Sequence, residues 1–435
     1  MYPLPPQVHT ALALLNEAGF EAFVVGGAVR DLLRGAPIHD WDITTSALPE
    51  QTKAVFEGYR LIETGIKHGT VTVLMDSLPL EITTYRTEGT YSDHRRPDSV
   101  TFTPSLEEDL ARRDFTVNAM AYHPKQGVVD LFGGQVDLKN RIIRCVGEAD
   151  KRFNEDALRM LRGLRFAARL GYAVEENTAA AIHRNKELLT HVAAERIREE
   201  LTGLLCGSCA EPVLRQYHDV ISVPIPELAP QAGFRQHNYH HCHDIWGHTV
   251  AAVSATPDSP ALRWAALLHD VGKPARFTMD GQGVGHFYGH ATESAKIAAN
   301  VTARLRFDNA TRDMICFLVE QHHLFTEVSE QSVRRAMLRF GREKLEQLLL
   351  LLRADTLGHA PRCLYHLDDI RSIADIMASV PDFTVKDLAV NGKDLMELGY
   401  NGPQIGQALN LLLEAVVFCG IPNEKHTLLN YLIQD

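Results

Sequence analysis

The sequence predicts an α+β protein in which a small α/β head precedes an all-helical body. Short apolar strand patterns separated by turns occupy the chain up to about residue 85. From Arg152 onward nearly every segment has the 3.6-residue apolar periodicity of amphipathic helices. Pro224, Pro226 and Pro230 interrupt that pattern, and a second break lies near residue 380. The helical body is therefore expected to consist of several parts.

The composition is that of a folded globular protein, with 45% hydrophobic and 23% charged residues among 435. That length allows two to four domains. The N-terminus lacks signal-peptide character and no run reaches the ~18 apolar residues of a membrane span, so we expect a cytoplasmic protein without a membrane segment. A net charge of −11 argues against indiscriminate coating of nucleic acid but allows a local basic groove. Seven scattered cysteines are expected to be reduced.

The head is predicted to alternate helices and strands. Apolar spacing across residues 8–18 predicts a helix that ends at Gly19. Two apolar stretches, 70–75 and 80–85, predict a hairpin. The polar stretch 86–104 lacks periodicity and is predicted to be a long loop, a kind of segment that is usually functional in compact domains. The other predicted elements are a strand at 23–25, a helix at 29–33 and a strand at 40–44.

Two glycines and three acids form the most informative pattern of the head. Gly26 and Gly27 follow a strand and precede a helix, an arrangement in which backbone N–H groups closely approach a phosphate. Asp40 and Asp42 alternate along a predicted strand, so their side chains face the same way. Such carboxylates repel each other unless a cation lies between them, and Mg²⁺ with nucleotide phosphates is the usual resolution. Glu81, on a later strand, could complete the cluster, and such a set supports two-metal catalysis.

The order of these motifs resembles that of a known family. The opening motif of polymerase-β-like nucleotidyltransferases is similar to two segments here, VVGGAVRDLL (24–33) and DWDITTSALPE (40–50). The similarity is closest to the bacterial class II group of CCA-adding enzymes and poly(A) polymerases. Further motifs follow in order, namely LARRDFTVNAMA (110–121), DLFGGQVDL (130–138), EDALRMLRGLRFAARLG (155–171) and ERIREEL (195–201). The resemblance implies a template-independent nucleotidyltransferase with a polymerase-β-like head.

The resemblance also implies roles for individual head residues. Asp40 and Asp42 would bind the catalytic Mg²⁺, with Glu81 as the supporting acid. The implied contacts to the nucleotide triphosphate are Gly27, Arg30 and Arg113, with Gly26 beside them.

In this family an acidic and an arginine side chain replace the nucleic-acid template, and here they would be Asp156 and Arg159. A carboxylate accepts from the amino group of cytosine or adenine, and arginine donates to ring acceptors. Other bases would leave buried polar groups unpaired. Arg159, Arg162 and Arg165 recur every three residues near one helix face, which predicts a nucleotide-binding stripe. A solvated basic stripe is the alternative.

Three segments favour one branch of the family. Poly(A) polymerases typically have a basic Gly-Arg/Lys-Arg-Phe stretch where this chain has TGIKHGTV (64–71). Members that add only CC lack part of the loop that spans residues 85–102 here. Residues 388–416 resemble the tail with which bacterial CCA-adding enzymes contact tRNA by shape. We therefore expect addition of C, C and A to tRNA 3′ ends from CTP and ATP. An A-adding enzyme or a poly(A) polymerase is the alternative within the family.

A second constellation of histidines and aspartates lies in the helical body. These are metal-binding side chains, and their order H…HD…H…H…D resembles the HD phosphohydrolase superfamily. The implied ligands of a divalent metal of unspecified identity are His248, His269, Asp270 and Asp355, with His290 and His322 for a second metal and Lys273 near the substrate phosphate. Neighbouring histidines leave alternatives open within these clusters, namely His237, His240, His241, His243, His286 and His323.

These patterns predict four domains. They are a nucleotidyltransferase head (1–148), a helical neck that binds the nucleobase and RNA (149–225), an HD phosphohydrolase-type domain (226–380) and a tRNA-binding helical tail (381–435). An HD site that binds metal only structurally is one alternative. A protein that is chiefly an HD phosphohydrolase, with the head as an RNA-binding module, is another. The intact DxD and EDxxR motifs disfavour the latter.

Overall fold

The computed structural model describes residues 2–89, 100–238, 242–325, 327–380 and 383–433. The chain forms two compact units. The first consists of Met1–Ala232 with Val301–Phe307, and the second of Gly233–Asn300 with Asp308–Asp435. Within the described ranges, no helix is both long enough and apolar enough to cross a membrane. The predicted α+β class is confirmed, whereas the division into four domains stays a prediction.

A mixed sheet forms the centre of the head. The strands of the first unit are β1 Ala22–Val25, β2 Trp41–Thr45, β3 Arg60–Ile62, β4 Thr70–Met75, β5 Leu78–Thr84, β6 Arg86–Glu88, β7 Val100–Phe102, β8 Met120–His123, β9 Gly127–Asp130, β10 Ile142–Ile143 and β11 Ala173–Val174. In the described part of the chain, the main sheet has the order β3-β4-β5-β2-β1-β8-β9. β2 and β5 are parallel neighbours. The strands that carry Asp42 and Glu81 therefore lie side by side.

The hairpin predicted from 70–75 and 80–85 is confirmed, although its second strand, β5, begins earlier, at Leu78. Asp76 and Ser77 form the turn with φ angles of 48° and 70°, as a two-residue hairpin turn of the primed type requires.

The prediction of one long loop over residues 86–104 is wrong in part. β6 and β7 pair there as short antiparallel strands. Three residues are too few to display the alternation by which a strand is recognised in sequence. Residues 90–99, which form most of the loop on which the choice of family member depended, lie outside the described residues.

Helices cover the sheet and form the rest of the first unit. They are α1 Pro6–Glu17, α2 Gly27–Arg34, α3 Pro49–Val55, α4 Leu106–Ala111, α5 Gly134–Asn140, α6 Ala149–Glu155, α7 Leu158–Leu170, α8 Glu176–Asn185, α9 Ala194–Leu205, α10 Ala210–Gln216 and α11 His218–Ile221. Apolar side chains of α1, α2 and the sheet, such as Leu12, Val29 and Ile43, form one buried cluster. α7 packs closely against α9, which brings the arginine stripe next to the ERIREEL motif.

The second unit is helical, as the sequence predicts. Its elements are α12 Ile245–Ala255, α13 Pro260–Leu268, β12 Thr278–Met279, β13 Gly285–His286, α14 His290–Arg304, α15 Asn309–Gln321, α16 Glu330–Phe340, α17 Arg342–Leu357, α18 His366–Ser379, α19 Gly392–Glu397, α20 Pro403–Cys419 and α21 Lys425–Ile433. The end of α14, from Val301 onward, belongs to the first unit. α12, α13, α15 and α17 pack against one another, and the tail helices α19, α20 and α21 have an apolar cluster of their own.

Candidate active site and metal centre

The acidic residues of the head lie on adjacent strands. Asp42 on β2 is in register with Glu81 on β5, and Asp40 immediately precedes β2. Partial burial and the nearby charges of Glu81 and Asp40 raise the pKa of Asp42 to about 6, although Arg113 opposes that shift. Negative charge thus accumulates at this point, and a divalent cation would neutralise it. The donor set therefore fits a divalent metal.

The turn between β1 and α2 needs glycine at Gly26, whose φ of 71° and ψ of −137° few other residues adopt. A Cβ atom there would lie 3.2 Å from Arg113 Nη1 and 3.7 Å from Asp42 Oδ2. The absence of a side chain lets the carboxylate and the guanidinium approach the start of α2. Gly27 is the first residue of that helix, so its N–H group is oriented as an anion-binding donor.

Both predicted triphosphate arginines are held by acidic or amide partners. Arg30 donates from Nη1 to Asn118 Oδ1 at 2.8 Å and pairs through Nη2 with Asp31 Oδ2 at 2.6 Å. Arg113 Nη2 lies 3.5 Å from Asp109 Oδ2. These partners restrict the side chains, so each guanidinium has a defined position before a nucleotide binds.

Asp109 is a buried acid that the sequence patterns did not single out. Its carboxylate accepts from the Thr44 hydroxyl at 3.1 Å and pairs with Arg112 at 2.8 Å. Although burial opposes ionisation, Arg112 and Arg113 hold the pKa of Asp109 below its ordinary value. An ionised Asp109 therefore links β2 to the arginines that follow α4.

An open, polar cavity of about 520 Å³ lies beside this cluster. Four of the predicted nucleotide-binding residues line it, namely Arg113, Asp156, Arg159 and Arg162. Further lining residues are Arg86, Arg112, Asp114, Leu158, Arg196, Glu199 and Glu200. Arg165 was predicted to belong to the nucleotide-binding stripe, but it is not among the residues that line this cavity. Its Nε donates to Glu200 at 2.5 Å and its guanidinium stacks over Phe166.

The two predicted base-reading side chains are both fixed in this cavity. Asp156 pairs with Arg196 at 2.8 Å. Arg159 Nη1 donates to Glu155 at 2.6 Å, and its Nη2 donates to the Arg112 carbonyl at 3.1 Å. Arg196 belongs to the ERIREEL segment, which the sequence identified as a motif without indicating which of its residues lines this cavity. Its contact with Asp156 depends on the packing of α7 against α9.

In the second unit, four histidine rings are oriented by backbone carbonyl groups. The Nδ1 atoms lie 3.0 Å from Gly358 O for His248, 2.8 Å from Ala266 O for His269, 2.8 Å from Phe287 O for His290 and 2.6 Å from Val319 O for His322. An Nδ1–H that donates to a carbonyl leaves Nε2 as the metal-binding atom, the usual arrangement of histidine ligands.

The four Nε2 atoms converge on two aspartates. Nε2 of His248 lies 3.2 Å from Nε2 of His269 and 2.8 Å from Asp355 Oδ1. Nε2 of His290 lies 3.2 Å from Nε2 of His322 and 3.3 Å from Asp270 Oδ1. Lone pairs of neighbouring imidazoles at this separation repel each other unless a proton or a metal lies between them. The six predicted residues therefore form one cluster whose donors fit a divalent metal; we call it the HD cluster.

Protons compete with a metal at this cluster. Although burial favours neutral imidazole, Asp270 and Asp355 raise the pKa of His269 to about 10. Metal binding would displace that proton, so affinity for metal should rise with pH. Lys273 Nζ lies 2.7 Å from Asp270 Oδ2, which places the predicted phosphate-binding lysine at the edge of the cluster.

Two further histidines join the HD cluster. Nε2 of His323 lies 3.1 Å from Nε2 of His290, and Nε2 of His359 lies 3.9 Å from Asp355 Oδ1. The sequence left His323 as an alternative to its neighbour, and the i, i+4 spacing of Asp355 and His359 was the signal that could have indicated His359. Among the described residues, the groups close enough to share a metal do not include His237, His243 or His286. His240 and His241 lie outside the described residues.

Two cavities open beside the HD cluster. One, of about 380 Å³, is lined by Asp270, Lys273 and His290 together with the segment around Tyr288. The other, of about 310 Å³, is lined by His322 and by apolar side chains of α17 and α18. His323, Asp355 and His359 line both. The HD cluster is thus bordered by two cavities.

Three family models match the chain. Residues 22–144 match the poly A polymerase head domain, and residues 171–220 match an RNA- and SrmB-binding site of polymerase A. Residues 289–432 match tRNA nucleotidyltransferase domain 2. Together with the paired carboxylates on β2 and β5, these matches define the chain as a nucleotidyltransferase.

Relatives of nearly full length define the family more narrowly. The chain is 36% identical over 427 residues to the CCA-adding enzyme of Lactobacillus delbrueckii subsp. bulgaricus. The aligned region covers 98% of this chain and 97% of that enzyme. The chain is 37% identical over 439 residues to the CCA-adding enzyme of Latilactobacillus sakei subsp. sakei, with 98% and 97% covered. The crystal structure of Bacillus stearothermophilus CCA-adding enzyme in complex with CTP matches with a TM-score of 0.76 at 32% identity, over 99% of this chain and 98% of that one. The chain belongs to the family of CCA-adding enzymes.

Proposed function

We propose that this protein adds C, C and A to the 3′ ends of tRNA, taking CTP and ATP as substrates without a nucleic-acid template. The observation that supports this most directly is the position of the Asp156–Arg196 pair and Arg159 in one cavity with Arg113, beside the carboxylates of β2 and β5. A base-recognition group thus lies next to a triphosphate-binding group. We also propose that the protein works in the cytoplasm, where tRNA ends are matured.

In this proposal Asp40 and Asp42 hold Mg²⁺, and Glu81 adds charge to the same site. When bound, the metal supplies Lewis-acid activation of the attacking hydroxyl and of the leaving group. Arg30 and Arg113 bind the triphosphate by charge, which fixes the α-phosphorus in line with the 3′-hydroxyl of the RNA. Attack of that hydroxyl forms the new phosphodiester bond and releases pyrophosphate.

Selection of C and A follows from the polarity of the two recognition side chains. Cytosine and adenine both present an amino group beside a ring nitrogen acceptor, so Asp156 can accept from the amino group while Arg159 donates to the ring. Uracil and guanine present a carbonyl and an N–H group at those positions. Either base would place its carbonyl against the Asp156 carboxylate and its N–H group against the Arg159 guanidinium, which is a costly mismatch.

The test is to incubate the protein with labelled CTP and ATP and a tRNA that lacks its CCA end. When both nucleotides are supplied, we expect the protein to incorporate C and A and to restore the full CCA end. Incorporation of A alone, or of many A residues, would favour the A-adding or poly(A)-forming alternative. Asp42→Ala should abolish incorporation, while any hydrolysis at the HD cluster continues. If the Asp42→Ala variant still transfers nucleotides, the proposed metal-binding role of Asp42 is wrong.

As a second function, we propose that the HD cluster hydrolyses phosphoester bonds. Convergence of His248, His269, Asp270 and Asp355 in a buried position supports this, since so many oriented donors fit a catalytic divalent metal. When bound, the metal supplies a water molecule activated at neutral pH. Lys273 would bind the phosphoryl oxygens. For a 2′,3′-cyclic phosphate, water adds to phosphorus, one ester P–O bond breaks and the leaving oxygen takes up a proton.

Phosphate groups on damaged RNA ends are the proposed substrates, because nucleotidyl transfer needs a free 3′-hydroxyl. The wild-type protein with Mg²⁺, Mn²⁺, Co²⁺ or Ni²⁺ should release phosphate or open the ring of model cyclic nucleotides. The double variant His269→Ala with Asp270→Ala should not, but it should still add CCA. If the wild-type protein hydrolyses none of these substrates with any of the four metals, the HD cluster is a structural or binding element. Hydrolysis without any CCA addition would favour the chiefly phosphohydrolase alternative.

We retain the proposed division into a head (1–148), a neck (149–225), an HD domain (226–380) and a tail (381–435). An apolar cluster centred on α19, α20 and α21, against which Leu338 of α16 also packs, supports a separate tail. The Asp156 pair with Arg196 lies within the proposed neck, which supports its role in base and RNA binding.

A further inference from the structure

An exposed aromatic pair, formed by Tyr288 and His286, lies at the edge of one of the two HD cavities. Tyr288 is 78% exposed. Its ring stacks on that of His286, with the centroids 5.3 Å apart and the ring planes within 7°. Nε2 of His286 lies 2.9 Å from Asp280 Oδ2, and this contact holds the His286 ring in place. A large flat ring that is held in place yet exposed to water is suited to stack against another flat ring.

The pair is closely tied to the HD cluster. Both rings line the cavity of about 380 Å³ that Asp270, Lys273 and His290 also line. Nδ1 of His290 lies 2.8 Å from the carbonyl oxygen of Phe287, the residue next to Tyr288. Since Tyr288 precedes His290 by two residues, their Cα atoms lie within about 7 Å of each other. Tyr288 and the predicted metal ligand His290 are therefore neighbours in the lining of one cavity.

We propose that Tyr288 and His286 form a stacking site for the base of a nucleotide whose phosphate lies at the HD cluster. The inference rests on the proposed phosphoesterase function and assigns two residues that would favour substrates with a base over phosphoesters without one. Every nucleobase has a π face, so stacking selects for a base without strongly selecting its identity. An enzyme that repairs RNA ends of varied sequence needs that tolerance.

A second exposed tyrosine–histidine pair, whose rings are tilted by 38° and whose tyrosine is not among the residues that line the other cavity, provides a control. Tyr365 is 58% exposed and its ring centroid lies 4.1 Å from that of His366, whose Nδ1 is 3.1 Å from Asp369 Oδ2. His366 and Asp369 line the other cavity at the HD cluster. Among the described residues that line that cavity, Lys273 is absent. We assign the base to the Tyr288 side because only there does the stacking pair share a cavity with the cation that can bind the phosphate.

The test compares wild type with Tyr288→Ala, Tyr288→Phe and Tyr365→Ala, each loaded with divalent metal. Calorimetry measures binding of adenosine 3′-monophosphate and of inorganic phosphate. Kinetics measure KM and kcat for adenosine 2′,3′-cyclic phosphate and for glycerol phosphate, which has no base. We expect Tyr288→Ala to weaken nucleotide binding and raise KM for the cyclic nucleotide about tenfold. Its kcat, its affinity for phosphate and its KM for glycerol phosphate should stay unchanged.

Tyr288→Phe should behave as wild type because it keeps the aromatic face, and Tyr365→Ala should also behave as wild type. Nucleotide binding in the head is common to all variants and cancels in the comparison. Unchanged nucleotide affinity in Tyr288→Ala, or an effect of Tyr365→Ala alone, would overturn the stacking site even if the protein hydrolyses cyclic nucleotides. Absence of hydrolysis in wild type would instead refute the phosphoesterase function, and the binding difference would still decide whether Tyr288 stacks a base.

Discussion

Replacing Asp42 by asparagine should abolish nucleotide transfer and yet stabilise the metal-free head. The carboxylate of Asp42 is partly buried and lies near the negative charges of Glu81 and Asp40. Asparagine has nearly the same shape but no charge, so it removes that repulsion without leaving a cavity. Function would thus be maintained at the expense of stability, as is common for clustered catalytic charges.

The size of the gain follows from the pKa of Asp42. It rises from 3.8 to about 6 in the folded protein, a shift of about 2 units, which at 1.36 kcal/mol per unit corresponds to about 3 kcal/mol. Because the folded state binds the proton more tightly than the unfolded state, the contribution of Asp42 to stability falls as the pH rises from about 4 to about 6. Above about pH 6 the ionised Asp42 destabilises the folded protein by the full amount of about 3 kcal/mol. Below about pH 4, Asp42 and asparagine should be nearly equivalent.

The measurement is the free energy of unfolding of the head by urea, at pH 8 and near pH 4, in the presence of a chelator. Trp41, the residue before Asp42, provides a local fluorescence signal. Asp42→Asn should gain up to about 3 kcal/mol at pH 8 and little near pH 4. Asp40→Asn is the comparison: Asp40 is exposed and its charge is the smallest cause of the raised pKa of Asp42, so the gain should be much smaller than that of Asp42→Asn. Added Mg²⁺ should stabilise wild type more than Asp42→Asn. A variant that is no more stable than wild type at pH 8 would refute the electrostatic account.

The remaining predictions concern base choice and the HD cluster. Asp156→Ala or Arg159→Ala should admit UTP or GTP, measured as the ratio of kcat/KM values for the four nucleotides; a uniform loss with unchanged ratios would show a structural role. Arg196→Ala should lower the discrimination against UTP about tenfold, because Asp156 loses the partner that fixes its carboxylate. His269→Ala with Asp270→Ala should lower the bound metal, measured by elemental analysis, by at least tenfold, and unchanged metal content would contradict the ligand assignment.

The sequence predicted those parts of the head that depend on local patterns. β4 alternates buried and partly exposed residues along its whole length, which is why its bounds were predicted correctly. β2 begins at Trp41, so Asp40 lies at the start of the strand and is more exposed than Asp42. The parallel pairing of β2 with β5 brings together residues far apart in the chain. Periodicity does not specify which strands become neighbours, so the pattern offered Glu81 only as a candidate third acid, which the family resemblance then supported.

The same distinction explains which site residues were found. Asp156 and Arg159 lie in a recognisable motif, whereas Arg196 faces them only because α9 packs on α7. Arg165 has the spacing of the basic stripe, yet it pairs with Glu200, lies over Phe166 and does not line the cavity that Asp156 and Arg159 line. Spacing along one helix shows which residues share a face. The residues that contact this face belong to other elements. The sequence pattern therefore cannot show which members of the face line the cavity.

The two candidate metal sites differ in how completely the protein prepares them. In the head, Asp40 and Glu81 are exposed and few protein donors are available, so a cation there depends on phosphate oxygens and water for its remaining ligands. In the HD cluster, His248, His269 and Asp270 are buried, and backbone carbonyls have already oriented the rings. Little conformational freedom is left to lose when metal binds, which favours tight binding. We therefore expect the metal of the head to enter and leave with the nucleotide, and that of the HD cluster to remain with the protein between turnovers.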